Sequence, residues 1–187
     1  MSAAPLSDPF ALFELEPAFA LDGAELERRF FAMSRDLHPD RFATAPAAQR
    51  VAALSRSRAL NDAYQVLRKP VPRAEYLLRL HGGAIGDNER LDPAFLQEIL
   101  ELREELAEAR HAGQLDEVER LRGAMAARRR GAADELAPRF AELTAAEDPA
   151  ARELALGHIK RTLIALRYLD RYLEECEAAL DDEPEDS

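Results

Sequence analysis

The sequence predicts an all-α protein: an N-terminal domain built on a helical hairpin, then a C-terminal three-helix bundle. Three observations carry this. Ala, Leu, Glu and Arg dominate, and all four are strong helix formers. Apolar residues recur at spacings of three and four along most of the chain, the signature of one face of a helix. The turn residues fall between those stretches: Asp-Pro pairs, Gly82-Gly83 and Gly113. With 187 residues, 47% of them hydrophobic, there is enough apolar side chain for one core or two small ones.

The elements follow in order. Asp8-Pro9 is a cap and first-turn proline for a short helix over 10–15, stopped by Pro17. Asp22 caps a second helix over 23–37, with the stripe Leu26, Phe30, Met33 and Leu37. Pro39 ends it. A third helix runs from about Pro46 to Arg68, and Val51, Leu54, Ala59, Ala63, Val66 and Leu67 are its expected apolar side. Two prolines in RKPVPR interrupt the helical run, and a short helix, AEYLLRLHG, follows and ends at Gly82-Gly83. The first domain is thus expected over 1–81 and a Gly-rich polar linker over 82–93. The bundle takes 94–180, and the acidic tail 181–187. In the bundle, helices are expected over 94–111, 115–136 and from Pro149 to about Leu180. Pro138 ends the middle one, with residues 139–148 a weak extension or a turn.

Charge is split between the halves. Residues 1–80 carry a net charge of +1 and residues 81–187 a net of −12, within a total of −11. The acidic half argues against nucleic acid as a partner. No run reaches the ~18 apolar residues of a membrane span, and the N-terminus lacks the basic-then-apolar pattern of a secretory signal. The single cysteine, Cys176, excludes an internal disulfide and multi-cysteine metal sites. No phosphate loop appears. No cofactor, no metal ligand set and no catalytic residue is expected, and a reducing, cytoplasmic setting fits.

His38-Pro39-Asp40 lies between the second and third helices. The proline breaks the helix and holds His38 and Asp40 at an exposed corner. Asp40 is an acceptor suited to a cationic group on a partner, and Arg29, Arg35 and Arg41 bring positive charge near the same end. The corner has no nucleophile beside the histidine and no second ligand at a metal-like spacing. The strings LFELEPAF, LERRF, AMSRDLHPDRF and LNDAYQVL, in this order and spacing, resemble a J-domain. The segments RAEYLL and FLQEILELREELAEA extend the resemblance over residues 10–180 to the HscB family of iron–sulfur co-chaperones, which join a J-domain to a three-helix C-terminal domain. The cysteine-containing extension of eukaryotic members is absent, which implies a bacterial, cytoplasmic member.

The resemblance implies two partners. A DnaK/HscA-type chaperone ATPase would dock on His38, Pro39 and Asp40, supported by Arg29, Arg35 and Arg41, and would be stimulated. An iron–sulfur scaffold protein would bind the family positions matching Leu96, Leu100, Arg103, Glu104 and Tyr168. The wheel adds its own reason. Phe95, Ile99, Leu102 and Leu106 form one stripe, and Leu96 and Leu100 lie roughly 90–130° from it. Gln97, Arg103, Glu104 and Glu108 share that outer half, and Gln97 stands where some relatives have an apolar residue. On the last helix Ile159, Leu166, Leu169 and Leu173 form the main stripe, with Ile164 and Tyr168 off it. These extra apolar residues are either the edge of a wide core arc or a protein-binding patch rimmed by charge. Two other readings are a general J-domain co-chaperone with many clients and a helical adaptor whose hairpin does not stimulate. The run Arg128-Arg129-Arg130 reads as a solvated helix face.

Overall fold

A computed structural model describes residues 8–86 and 92–181. The expected linker falls partly, and the acidic tail almost wholly, outside the described residues. The chain divides into two compact units, one within Met1–His81 and the other within Gly82–Ser187. The described residues contain helices and no strand. None of these helices is long and apolar enough to cross a membrane.

In the first unit α1 (Pro9–Leu12) starts where Asp8 accepts the Phe10 N–H at 2.9 Å. Phe10 and Phe13 are fully buried and anchor this segment. The same Asp8 carboxylate oxygen accepts from the Tyr76 hydroxyl at 2.8 Å. Burial, then this hydrogen bond, pushes the Tyr76 phenol up to about 12. After α1 the chain turns through Glu14, a non-glycine residue at φ 53°. Such backbone costs of order 1–3 kcal/mol and persists only when its surroundings hold it. Arg29 supplies that hold: its Nη1 donates to the carbonyls of Phe13 at 2.6 Å and Glu14 at 2.8 Å, while Glu25 pairs with its Nε.

Asp22 caps α2 (Gly23–Asp36) by accepting from Ala24 and Glu25. Leu26 is buried, and Phe30, Met33 and Leu37 are half-buried along the same stripe. The chain reverses through a 3-10 turn (Pro39–Phe42) into α3 (Ala47–Arg68), and Phe30 stacks on Tyr64 with centroids 4.1 Å apart. The buried side of α3 is Ala53, Leu60, Ala63, Tyr64 and Leu67. Val51 and Leu54, expected on that side, are instead 68% and 65% exposed. Counting from the Phe30–Tyr64 stack, α2 runs out about level with Arg58 of the antiparallel α3. Val51 and Leu54 both lie more than 100° around the helix from the centre of the buried residues, whereas Ala53, in the same turns, falls on that centre and is buried.

The two prolines of RKPVPR do not precede the fourth helix; they begin it. Lys69 is extended, as a residue before proline prefers, and α4 (Pro70–Leu80) carries Pro70 and Pro72 in its first turn, where no N–H is needed. Arg73 Nη1 donates to the Leu67 carbonyl at 2.9 Å, capping the end of α3.

The second unit holds α5 (Pro93–His111), α6 (Leu115–Asp134), α7 (Leu136–Ala145) and α8 (Pro149–Asp181). Ile99, Leu106, Val118, Leu121, Met125, Leu169, Tyr172 and Cys176 form one buried cluster, with Phe95, Leu102, Tyr168 and Leu173 packed against it. Tyr172 is fully buried and donates to the Leu102 carbonyl at 3.0 Å. Burial pushes the neighbouring Cys176 thiol up to about 11. Two expectations change here. Residues 136–145 are a helix of their own: the helical run is interrupted at Glu135, because Pro138 has no N–H to give the Asp134 carbonyl, and Pro138 then sits in the first turn of α7, where no N–H is needed. Ile164, expected off the main stripe of α8, is buried, because α8 packs on α6 and also on α7 and so needs a wider apolar arc.

The arginine run is only partly a solvated face. Arg128 pairs with Glu98 of α5, and Arg129 with Asp170 of α8. Exposed pairs of this kind are worth about 0–1 kcal/mol each, so they align the helices more than they stabilise them.

Replacing Arg29 by alanine should cost about 1–2 kcal/mol, because two carbonyls lose their donor and the Glu14 turn loses its clamp. Urea unfolding of the full chain measures this. A variant within ~0.5 kcal/mol of wild type, the range of an ordinary surface change, would show that Arg29 is not the clamp.

Candidate functional site

Two surfaces, one on each unit, carry the sequence-expected residues. The first is the corner between α2 and α3. Leu37 caps α2 and His38 is extended, so the helix ends and its axis is left behind. His38 Nδ1 accepts the backbone N–H of Asp40 at 3.3 Å. That hydrogen bond places the ring proton of the neutral imidazole on Nε2, which becomes the donor available to a partner. The Asp40 carboxylate is 90% exposed, and its Oδ2 lies 3.5 Å from His38 Nδ1. The corner thus presents a donor and an anionic acceptor side by side, with neither consumed by the rest of the fold.

The three arginines expected to support the corner are placed differently from one another. Arg35 is exposed in the last turn of α2. Arg41 is exposed and pairs with Asp36 at 2.6 Å, which offsets its charge. Arg29 lies about 10 Å back along α2 from Asp36 and is engaged with Glu25 and the Phe13 and Glu14 carbonyls. Its guanidinium is committed to holding the first unit together.

The second surface is the outer face of α5. Leu96 and Leu100 are 41% and 52% exposed, one turn apart. Gln97, Glu104 and Glu108 are exposed beside them, and Gln97 donates to Glu101 at 2.9 Å. Arg103 is half-buried and reaches Glu175 of α8 at 2.6 Å. Tyr168, on α8, leans inward: it packs on the buried cluster and meets Phe95 edge-on, centroids 6.2 Å apart at 87°. Exposure therefore separates residues that the wheel could not. Leu96 and Leu100 stand clear of the core, and Tyr168 belongs partly to it.

Residues that did not stand out in the sequence hold this face in place. The Arg128 guanidinium lies over the Phe95 ring at 5.5 Å and grips Glu98, with Nη2 to Oε2 at 2.7 Å. This hydrogen bond holds the Glu98 carboxyl below the usual carboxylate range. The only sequence signal for that role was the basic run itself, since a pair 30 residues apart on two helices has no local pattern. Among the described residues no group of three or more His, Cys, Asp or Glu is placed to hold a metal ion.

Leu100→Ala should leave folding stability within ~0.5 kcal/mol of wild type, whereas Tyr168→Ala should cost roughly 1–3 kcal/mol, less than a fully buried aromatic. Urea unfolding of the two variants checks the assignment, and equal costs would contradict it.

Comparison with known proteins connects both surfaces. A family model described as the HscB C-terminal oligomerisation domain matches residues 91–177, which contain the α5 face. Co-chaperone protein HscB homologs of two strains of Vibrio vulnificus, YJ016 and CMCP6, are 48% identical over 104 residues. That match takes in 54% of this chain and 61% of each relative, so it spans less than two thirds of their length. The crystal structure of human co-chaperone protein HscB superposes with a TM-score of 0.75 at 27% identity, covering 95% of this chain and 84% of that one. Chaperone HscB from Vibrio cholerae superposes with a TM-score of 0.72 at 32% identity, covering 93% of this chain and 98% of that one. With both units matched over nearly the whole of that relative, the chain belongs to the HscB family.

Proposed function

We propose that this chain is a co-chaperone of iron–sulfur cluster assembly in the bacterial cytoplasm. Its first unit docks on a DnaK/HscA-type chaperone ATPase and stimulates ATP hydrolysis. Its second unit binds the scaffold protein on which a cluster is built and brings it to that chaperone. The chain performs no bond-making chemistry of its own, and it holds neither nucleotide nor cluster.

The observation that carries this reading is the exposed His38–Asp40 corner at the tip of the α2–α3 hairpin, in a chain of the HscB family. In the encounter, the Asp40 carboxylate meets a cation of the chaperone and the His38 Nε2–H supplies a neighbouring donor. A charge-assisted bond of this kind is about twice as strong as a neutral one. Arg35 adds long-range attraction to an acidic surface, which raises the association rate more than the final affinity. On the second unit, Leu96 and Leu100 are the apolar centre of the scaffold contact. Gln97, Arg103, Glu104 and Glu108 are its polar rim, and Tyr168 forms the inner edge. Holding both proteins on one chain raises the effective concentration of scaffold near the chaperone.

The decisive experiment measures steady-state ATPase of the chaperone with the full chain, with and without scaffold. His38→Gln and Asp40→Asn should each lose at least tenfold in stimulation with unchanged thermal melts, since both side chains are exposed. Leu100→Ala should weaken scaffold binding about tenfold or more, equivalent to ~1.4 kcal/mol, and leave stimulation without scaffold intact. Stimulation that survives both corner substitutions would refute the chaperone role.

A further inference from the structure

Among the described residues, the most exposed large apolar side chains of the first unit have no place in the surfaces described so far. Val51 and Leu54, at 68% and 65% exposure, stand on the first turns of α3, beyond the end of α2. Burying two such side chains against a partner is favourable by the area they remove from water. Their neighbours have one sign of charge. Arg50, Arg56 and Arg58 share this half of the helix, and no acidic residue occurs between Asp40 and Asp62. All three arginines are exposed. Arg50 donates to the Ala45 carbonyl at 3.4 Å.

On a helical wheel Arg50, Leu54, Arg58 and Val51 fall within about 100° of arc. The buried residues Ala53, Leu60, Tyr64 and Leu67 centre about 120° away. The result is a row of two apolar side chains flanked by two guanidinium groups. The 3-10 turn that carries Asp40 packs on this same helix, so the row and the corner belong to one rigid hairpin. In a chain whose net charge is −11, a row with two positive charges and no negative one is a local exception. Its complement is an apolar patch rimmed by carboxylates.

We infer that the Val51–Leu54 row of α3 is a second contact for the chaperone that docks on the His38–Asp40 corner, and that it receives an apolar, acid-rimmed patch of that chaperone. This rests on the chaperone-docking reading of the corner. The division of labour differs between the two contacts. The corner acts on the ATPase itself, and the row contributes affinity. The arginines steer the approach and fix its register, and the two apolar side chains slow dissociation.

The test titrates chaperone ATPase with the full-length protein. Val51→Gln with Leu54→Gln keeps helix propensity and charge. It should raise the concentration for half-maximal stimulation about tenfold while the maximum stays near that of wild type. Arg50→Gln with Arg58→Gln should raise it severalfold at low salt and flatten its dependence on ionic strength. His38→Gln, by contrast, should abolish the maximum. Thermal melts of both α3 variants should match wild type, as all four side chains are exposed; if the apolar pair fails to fold, the arginine pair still decides the question through its salt dependence. Wild-type stimulation with unchanged half-maximal concentration in both double variants would overturn the α3 contact and leave the corner standing. Failure of the wild-type chain to stimulate would overturn both. Improved solubility with unchanged stimulation would mark the row as a site of self-association and not of chaperone docking.

Discussion

The α2–α3 hairpin depends on the stack of Phe30 on Tyr64, together with the buried Leu26 and Leu60 beneath it. Aromatic pairs add roughly 0.5–1.5 kcal/mol beyond the area they bury, but the more important consequence is geometric. The stack sets the register of two antiparallel helices. That register decides where α2 ends and how much of α3 is left uncovered. It also decides where the reversal carrying His38 and Asp40 projects. A helix one turn longer before Pro39 would carry the corner about 5 Å further along α3. Pro39 fixes the length of α2 and the stack fixes its alignment; neither alone produces the corner.

Arg29 shows how a functional reading and a structural one compete for the same side chain. It is a cation on the helix that leads to the corner, yet its Nη1 is shared by the Phe13 and Glu14 carbonyls. Two backbone acceptors and the Glu25 carboxylate take three of its five N–H donors, those of Nη1 and Nε. A partner that drew the group away would have to break those bonds and release the φ 53° turn at Glu14. The positive charge that reaches solvent near the corner therefore belongs to Arg35 and Arg41, with Asp36 offsetting the latter.

Most of the helical architecture was legible because it is written locally. Asp8, Asp22 and Asp92 sit as caps before apolar-periodic runs, and each accepts the backbone N–H groups that its position implies. Ile99 and Leu106 are buried as the stripe of α5 indicates, while Leu96 and Leu100, which the wheel leaves between core edge and surface patch, are exposed. What was not legible depends on partners distant in the chain. Val51 and Leu54 have the spacing of a helix face, but they lie more than 100° from the face that packs, and only the partner helix shows which face that is. Pro138 does interrupt the helical run, but the bond it lacks is the one to Asp134, a turn earlier, so the break falls at Glu135 and the proline itself lies inside α7. Tyr168 and Ile164 share the flank of a helix with two neighbours, and periodicity does not say how wide its apolar arc must be. Arg128 and Glu98 meet across 30 residues, so their role was hidden in a basic run.

The placement of each surface also decides what changes at it can do. The corner, the α3 row and the Leu96–Leu100 pair are made of exposed side chains, while the cores beneath are closed by other residues: Leu60 and Leu67 in the first unit, Ile99 and Tyr172 in the second. Burial supplies folding free energy and exposure supplies recognition, and in this chain few side chains serve both. Tyr168 is the exception, since its ring is half in the core and half at the rim of the α5 face. Because each unit has its own core, occupation of one surface need not deform the other. On the proposed function, a chain that links two partners requires no conformational signal between its units. The tether itself raises the local concentration of one partner at the other, and that alone shifts the binding equilibrium by orders of magnitude when the geometry allows both to be held. Coupling through structure would need a bistable element whose equilibrium both surfaces bias. The rigid, separately packed helices that carry these surfaces favour tethering as the simpler physical account.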